Sequence, residues 1–353
     1  LPGALERARR VTDNPGAGRN RSRAIQIVLL AVGALVFAEM IRTADHARIA
    51  AGLAGIGLFF LPIVLAEFLF DLLCTFGWLV TLPRACRPRG MRLFAIRMAG
   101  TSINQVTPSL TLGGEPVKAM LLAPEVPLST GLASVIAAQG SFMIGQAIMI
   151  CAGLLMMLRL IDLPDFAAPL AAISFVVLTS GLFYFVRLQK KGLAPLLTAL
   201  AGIPLLRSIK LASLITGAEK LDICMSELYG RRPGDFILSI GFHVAARIVS
   251  VFQTLLILHA LGISAGVTAC IMIQAASILL DLPSVIIPGR LGLHEGGRMF
   301  IFHALGFGTG IGLSYALAQR LVQILMIAVG LLLFARFQIQ PAPLRRADCE
   351  SSP

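Results

Sequence analysis

The stretches TPSLTLGGEPVK (residues 107–118) and IPGRLGLHEGGR (residues 287–298) interrupt two long apolar regions of the chain. Each contains a proline, six further residues, an acid, two residues and a base. Backbone that is exposed to lipid cannot be broken in this way, because its polar groups would lose their hydrogen-bond partners. Paired interruptions at corresponding points of two halves indicate a transport site. The matching residues, all 180 positions apart, are Pro108 and Pro288, Glu115 and Glu295, and Lys118 and Arg298.

The composition predicts a polytopic membrane protein. Of 353 residues, 57% are hydrophobic and only 14% are charged, and the mean hydropathy is +0.85. The net charge of +12 does not indicate nucleic-acid binding, since the basic residues lie in loops and at the ends of apolar runs. The six cysteines form no CxxC pair, and His294–Glu295 is not continued as HExxH, so we predict no metal site and no cofactor.

Apolar runs long enough to cross about 30 Å of hydrocarbon predict six full spans. Two further apolar regions, 91–123 and 267–308, contain the interruptions. The predicted spans are 24–41, 49–80, 130–158, 166–186, 235–258 and 311–337.

Loop charge predicts the orientation of these spans. Lys and Arg crowd the tail 1–23, the segment 187–234 and the tail 338–353, which are therefore expected in the cytoplasm, whereas 259–266 contains neither residue. The interrupted region 91–123 must then enter and leave from the cytoplasm, and 267–308 from the opposite face.

The resulting fold class is an all-α membrane protein with about six spans and two re-entrant helical hairpins in inverted repeats. A single transmembrane domain covers 24–337, with one repeat at about 49–158 and the other at about 235–337. The linker 187–234 contains an amphipathic helix at 205–229, which we expect on the cytoplasmic surface.

The two interruptions have the chemistry of helix starts. Pro108 and Pro288 end the incoming arms, because proline lacks an N–H and disfavours helix before it. Each acid lies in the first turn of the returning arm, where the helix dipole favours negative charge. The base three residues later lies on the same helical face and is expected to neutralise it in part. The glycines that allow the chain to turn back are Gly113, Gly114, Gly289 and Gly292.

Ionisable residues at two facing tips predict a polar chamber within the membrane. Lys118, Arg290 and Arg298 suit an anionic head group. Arg247 and Arg320 lie inside apparent spans, so each should snorkel, pair with an acid or line the chamber. The Glu–Lys and Glu–Arg pairs are transport groups in one interpretation and structural locks in the other. Further candidate lipid-binding residues are Asn104, Gln105, Gln139, Asp281, Pro283, His294 and Gln319.

The motifs N-x3-P-x4-GGE (104–115) and P-x4-PG-x2-G-x2-E (283–295) resemble those of the lysylphosphatidylglycerol synthase transmembrane-region family, including a group associated with hopanoid biosynthesis. The resemblance covers roughly 25–337 and implies a flippase-like membrane protein. In fused members a cytoplasmic domain makes the aminoacyl lipid. Only a short tail follows Phe337 here, so synthase activity is not implied. Arg290 stands where the family more usually has a glycine, which leaves the identity of the lipid open.

Our leading hypothesis is a lipid translocase or lipid-binding carrier of the bacterial inner membrane, with both termini cytoplasmic. Its ligand would be a polar or anionic lipid of phospholipid, aminoacyl-lipid or hopanoid type. One alternative is an intramembrane lipid-modifying enzyme, which would need an acid cluster or a nucleophile–base pair. The other is a non-transporting partner of lipid-biosynthesis enzymes. The expected partners are membrane lipids and such enzymes, and no nucleic acid.

Overall fold

A computed structural model describes residues 56–106, 113–160, 211–284 and 293–339, with single helical positions between 169 and 187. All regular elements in these ranges are helical, and short 3-10 turns occur at Gly57–Phe59 and Arg84–Cys86. The α-helices are α1 (Phe60–Thr81), α2 (Gly90–Val106), α3 (Gly114–Leu122), α4 (Leu128–Leu160), α5 (Leu211–Arg231), α6 (Pro233–Ala260), α7 (Val267–Ser284), α8 (Leu293–Ala304) and α9 (Thr309–Ile339).

Four helical segments within the described ranges are long and apolar enough to cross a membrane. They are Gly57–Thr81, Leu128–Leu160, Pro233–Ala260 and Thr309–Phe337, and they match four of the six predicted spans. The predicted span 24–41 and most of 166–186 lie outside the described residues, as do the tails 1–23 and 340–353. The total of six spans therefore stays a prediction.

Local sequence sets the ends of these helices. Leu82 is extended, with ψ 143°, because the following Pro83 disfavours helix, and α1 therefore ends at Thr81. Helix α6 begins at Pro233, the favoured first position. Gly262 has φ 76° and Gly306 has φ 80°, the left-handed conformation that closes α6 and α8.

In each interrupted region the two helices beside the interruption pack against each other, α2 on α3 and α7 on α8. We call each pair a hairpin; that the hairpins are re-entrant stays a prediction. In the first, the Gly114 N–H donates to Asn104 Oδ1 at 2.5 Å, so the end of α2 lies against the start of α3. In the second, His294 of α8 lies 3.0 Å from Asp281 of α7. Helix α3 has nine residues, about 14 Å, and α8 has twelve, about 18 Å, so neither can cross about 30 Å of hydrocarbon.

Helices α1 and α6 pack antiparallel along their whole length. Phe59 and His259 rings contact with centroids 5.3 Å apart at one end, and Ser239 Oγ donates to the Gly77 carbonyl at 2.8 Å towards the other. Adding 180 to the residue numbers of α1 gives approximately those of α6, so the two helices occupy equivalent positions in the two halves. Their antiparallel packing is therefore the geometry expected of halves with opposite orientation.

Each hairpin also packs on the other half. Helix α9 lies against α2, and α4 lies against α7. A Cβ on Gly330 would lie 1.9 Å from Ser102 Oγ, and one on Gly153 would lie 2.1 Å from Ala275 Cβ. Both glycines thus permit close helix approach, as is common between membrane helices. Through these contacts, helices of each half pack on the hairpin of the other half.

One end of the helix bundle is basic. Arg232 donates to the carbonyls of Leu82 and Thr81 at 3.1 and 3.0 Å, which caps the end of α1. Arg92, near the start of α2, forms an ion pair with Glu125, which follows α3. The first hairpin therefore begins and ends at the same end of the bundle.

Helix α5 confirms the predicted helix at 205–229 over the described residues and ends two residues later, at Arg231; residues 205–210 lie outside the described residues. Its Met225 and Leu228 are buried in a cluster with Ala137 of α4 and Phe236 of α6. Glu219 and Glu227 are exposed on the other face. The helix is thus amphipathic and bound to the bundle; its position on a cytoplasmic surface stays a prediction.

Candidate functional site

A polar cavity of about 500 Å³ lies among eight of the nine described helices, with α5 excluded. Four basic and four acidic side chains line it, so its formal charge is balanced. Amides and hydroxyls supply further hydrogen-bonding groups. The charged lining residues are Glu67, Asp71, Arg97, Glu115, Lys118, Arg247, Asp281 and Arg298.

The tip of the first hairpin is built around Glu115. Its Oε1 accepts from Asn104 Nδ2 at 2.9 Å and from Lys118 Nζ at 2.7 Å. The predicted pairing of acid and base three residues apart is therefore confirmed in this half. A Cβ on Gly114 would lie 2.0 Å from the Gly100 carbonyl oxygen, so only glycine allows the two arms to meet so closely.

The second tip differs from the predicted arrangement. Glu295 pairs with Arg320 of α9, whose Nη2 and Nε both donate to Glu295 Oε1, at 2.6 and 3.0 Å. Arg298 instead donates from Nε to Gln319 Oε1 at 2.7 Å and lies 4.0 Å from Asp281. Arg298 still interacts electrostatically with Glu295, as predicted, but the ion pair is made by Arg320, because α9 presents a guanidinium closer to that carboxylate.

Hydrogen bonds connect the two tips. Arg320 donates from Nη1 to Gln323 Oε1 at 3.3 Å, and Gln323 donates from Nε2 to Gln105 Oε1 at 2.8 Å. Gln105 follows Asn104, which holds Glu115. The two hairpins are thus coupled through one polar chain across the boundary between the halves.

Besides Arg247, three charged residues of the cavity were not among the predicted site residues. Asp71 forms an ion pair with Arg97, and Glu67 accepts from Gln253 Nε2 at 2.9 Å. Glu67 and Asp71 are four residues apart in an apolar span and so share one helix face. Acids in such a span are themselves a functional signal, and this signal could have identified both.

Arg247 is the most unusual residue in the cavity. Its side chain belongs to α6 and is only 8% exposed. Its guanidinium carbon lies 5.0 Å from the Phe70 ring centroid and 4.5 Å from that of Phe142, which are cation–π distances. Of the three alternatives predicted for Arg247, the structure selects lining the cavity.

Most of the predicted site residues that the structure describes lie together. Glu295 and Arg320 lie beside the cavity as an ion pair, Gly113 and Gly114 begin α3, and Pro283 belongs to α7. Pro108, Pro288, Gly289, Arg290 and Gly292 lie outside the described residues. Those that line the cavity are Asn104, Gln105, Glu115, Lys118, Gln139, Asp281, His294, Arg298 and Gln319.

Long apolar helices, two helical hairpins and an internal polar cavity define a multi-pass membrane protein. A family model described as lysylphosphatidylglycerol synthase TM region matches residues 24–330. The chain belongs to this family, as its motifs predicted. Comparisons with curated proteins and with solved structures gave no match.

Proposed function

We propose that the protein moves a polar or anionic lipid between the leaflets of a bacterial inner membrane. The observation that carries this proposal is the cavity of about 500 Å³ lined by both hairpins. That volume lies in the range of small-molecule sites and accommodates a head group, but not a head group together with two acyl chains. The head group would therefore occupy the cavity while its apolar tail stays in the bilayer.

In the proposed topology, the hairpins enter from opposite faces. The Arg92–Glu125 ion pair holds both ends of the first hairpin at one end of the bundle. The same end carries Arg87 and Arg232, each 3.5 Å from Asp235. Because positive residues stay inside, we assign this end to the cytoplasm. The Arg92 guanidinium also lies 5.9 Å from the Phe337 ring centroid, so α9 would end there and the C-terminus would be cytoplasmic.

Glu115 and Glu295 are the charged groups whose partners would change during movement. Each is ion-paired in this structure, Glu115 with Lys118 and Glu295 with Arg320. We propose that both pairs are locks that hold the hairpins in the present state and open as the head group passes.

An enzyme is the second candidate, because Ser141 Oγ lies 3.0 Å from His243 Nδ1. The geometry favours a structural role for this contact. His243 Nδ1 also lies 2.8 Å from the Ser239 carbonyl, which can only accept, so Nδ1 carries the hydrogen and cannot take a proton from Ser141. Ser141 is fully buried and donates to the Ala138 carbonyl at 2.9 Å. A carrier needs no nucleophile here.

The proposal is tested by leaflet exchange of fluorescent phosphatidylglycerol in vesicles containing the purified protein. Glu115→Gln and Glu295→Gln should each lower the exchange rate about tenfold or more, since each loses a charged partner within the cavity region. Glu227→Gln, at an exposed position on α5, is the matched control and should keep the wild-type rate. Equal rates for all four proteins would reject the role of the tips. Chemically altered lipid after incubation would support the enzyme instead.

A further inference from the structure

Arg247 differs from the other basic residues of the cavity in the use of its donors. Arg97 pairs with Asp71, Lys118 with Glu115, and Arg298 with Gln319. For Arg247, the part of the chain that the structure describes supplies cation–π contacts but no hydrogen bond or ion pair, and its buried Nε has no acceptor. Cation–π contacts stabilise the charge but leave the N–H donors of the guanidinium unused.

A second buried donor faces the same cavity. The Ser277 side chain is 4% exposed, and its Oγ has no hydrogen-bond partner among the described residues. Both Ser277 and Arg247 line the cavity. His294 Nδ1, in the lining of the same cavity, also has no hydrogen-bond partner among the described residues. Buried polar groups are rarely left unsatisfied in native proteins, so several of them in one cavity favour a ligand that supplies their partners.

The chemistry of the missing acceptor follows from the donors. Guanidinium groups bind phosphate and carboxylate oxygens in pairs, and a serine hydroxyl donates one further bond. Glu67 lies in the same cavity at the position of the first half that corresponds to Arg247, and its carboxylate accepts from Gln253. Glu67 forms no hydrogen bond or ion pair with Arg247 among the described residues, and the buried Nε of Arg247 has no acceptor, so Glu67 does not supply it in this structure.

We infer that Arg247, between Phe70 and Phe142, binds an oxyanion of the phosphate class, with Ser277 as a further donor. This inference rests on the proposed function, because it names the part of the cavity that receives the charged group of the lipid. The proposed contact with the phosphate therefore lies at the centre of the antiparallel α1–α6 pair. It does not lie at the hairpin tips, where Lys118 and Arg298 already have hydrogen-bond partners. The two Phe rings exclude water from the guanidinium and so strengthen its attraction for an anion.

The test is calorimetric binding of dioctanoyl phosphatidylglycerol to the full chain in an uncharged detergent. Arg247→Met keeps the volume but removes the donors and should weaken binding about tenfold or more. Arg247→Lys keeps the charge but not the paired donors and should give an intermediate value, and Ser277→Ala should weaken binding severalfold. Arg336→Gln changes an exposed arginine of α9 and should bind like wild type.

Two further ligands identify the source of the oxyanion. Dioctanoylglycerol, which lacks phosphate, should bind equally to wild type and Arg247→Met. Inorganic phosphate that binds wild type as tightly as the lipid does, and loses affinity in Arg247→Met, would assign the site to the free anion.

Wild-type affinity for phosphatidylglycerol in folded Arg247→Met overturns the inference. If Arg247→Met does not fold, wild-type affinity for phosphatidylglycerol in Arg247→Lys overturns the inference instead. Leaflet exchange by wild type is measured separately, so failure of the site and failure of transport are distinguishable.

Discussion

Gln323 donates from its Nε2 to Gln105 Oε1 at 2.8 Å, and this bond between side chains joins α9 of the second half to α2 of the first. Gln105 lies beside the residue that holds Glu115, and Gln323 contacts the arginine that holds Glu295. The amide pair thus occupies the boundary across which the two hairpins would have to move relative to each other.

Gln105→Leu and Gln323→Leu should each lower the free energy of unfolding by about 1 kcal/mol, because each leaves a partly buried amide without its partner. In the double variant both amides are gone, so the two losses should not add. The measurement is a double-mutant cycle on thermal unfolding in detergent. Strict additivity would contradict a direct coupling between the halves.

Gly330→Ala should destabilise the protein by about 1–3 kcal/mol, since the new Cβ would lie 1.9 Å from Ser102 Oγ and 2.5 Å from the Met98 carbonyl oxygen. Gly241→Ala is the matched control, because that helical glycine has nothing within 4 Å of the new Cβ. It should leave stability unchanged or raise it by up to about 1 kcal/mol. Melting temperatures of the two purified variants decide the matter. Equal melting points would mean that α2 and α9 are not as close as described.

Arg97→Leu and Asp71→Leu should each destabilise the protein by about 3–5 kcal/mol, because either change leaves a charge buried without its partner. The double variant removes both charges and should recover most of the loss. Yield and melting temperature of the three proteins provide the comparison. A double variant no more stable than the singles would show that the ion pair is not the reason for the loss.

Single cysteines at exposed positions in loops and at a helix end should report the proposed topology. Arg89→Cys and Ala123→Cys flank the first hairpin, whereas Ser264→Cys and Ala304→Cys flank the second. An impermeant maleimide should label the first pair only from the cytoplasmic face and the second pair only from the other face. The wild-type protein carries its own cysteines, so its labelling is measured in parallel and subtracted as background. Labelling of all four from one face is incompatible with hairpins of opposite orientation.

The sequence was most informative where a pattern is local. The broken apolar regions predicted both hairpins, and the spacing of Glu115 and Lys118 predicted their ion pair, because residues three apart on a helix are neighbours. The partner of Glu295 could not be predicted in this way. Arg320 lies 25 residues later on another helix, and only the packing of α8 on α9 brings them together.

The cavity residues also divide into those that a local sequence pattern identifies and those that only helix packing brings together. Acids at positions 67 and 71 of an apolar helix are visible in the sequence, but nothing in the sequence places Arg97 beside Asp71. Arg247 was recognisable as a charge inside a span. Its position between Phe70 of α1 and Phe142 of α4 depends on three helices from different parts of the chain.

Glu67 and Arg247 occupy matching places on α1 and α6, where the two halves carry opposite charges. A perfect duplicate would have the same side chain at both places, and an alternating carrier built from it would populate its two end states equally. With an acid on one wall and a guanidinium on the other, the end states are chemically distinct. In the proposed carrier, one end state would therefore be preferred at rest even when no gradient acts on it.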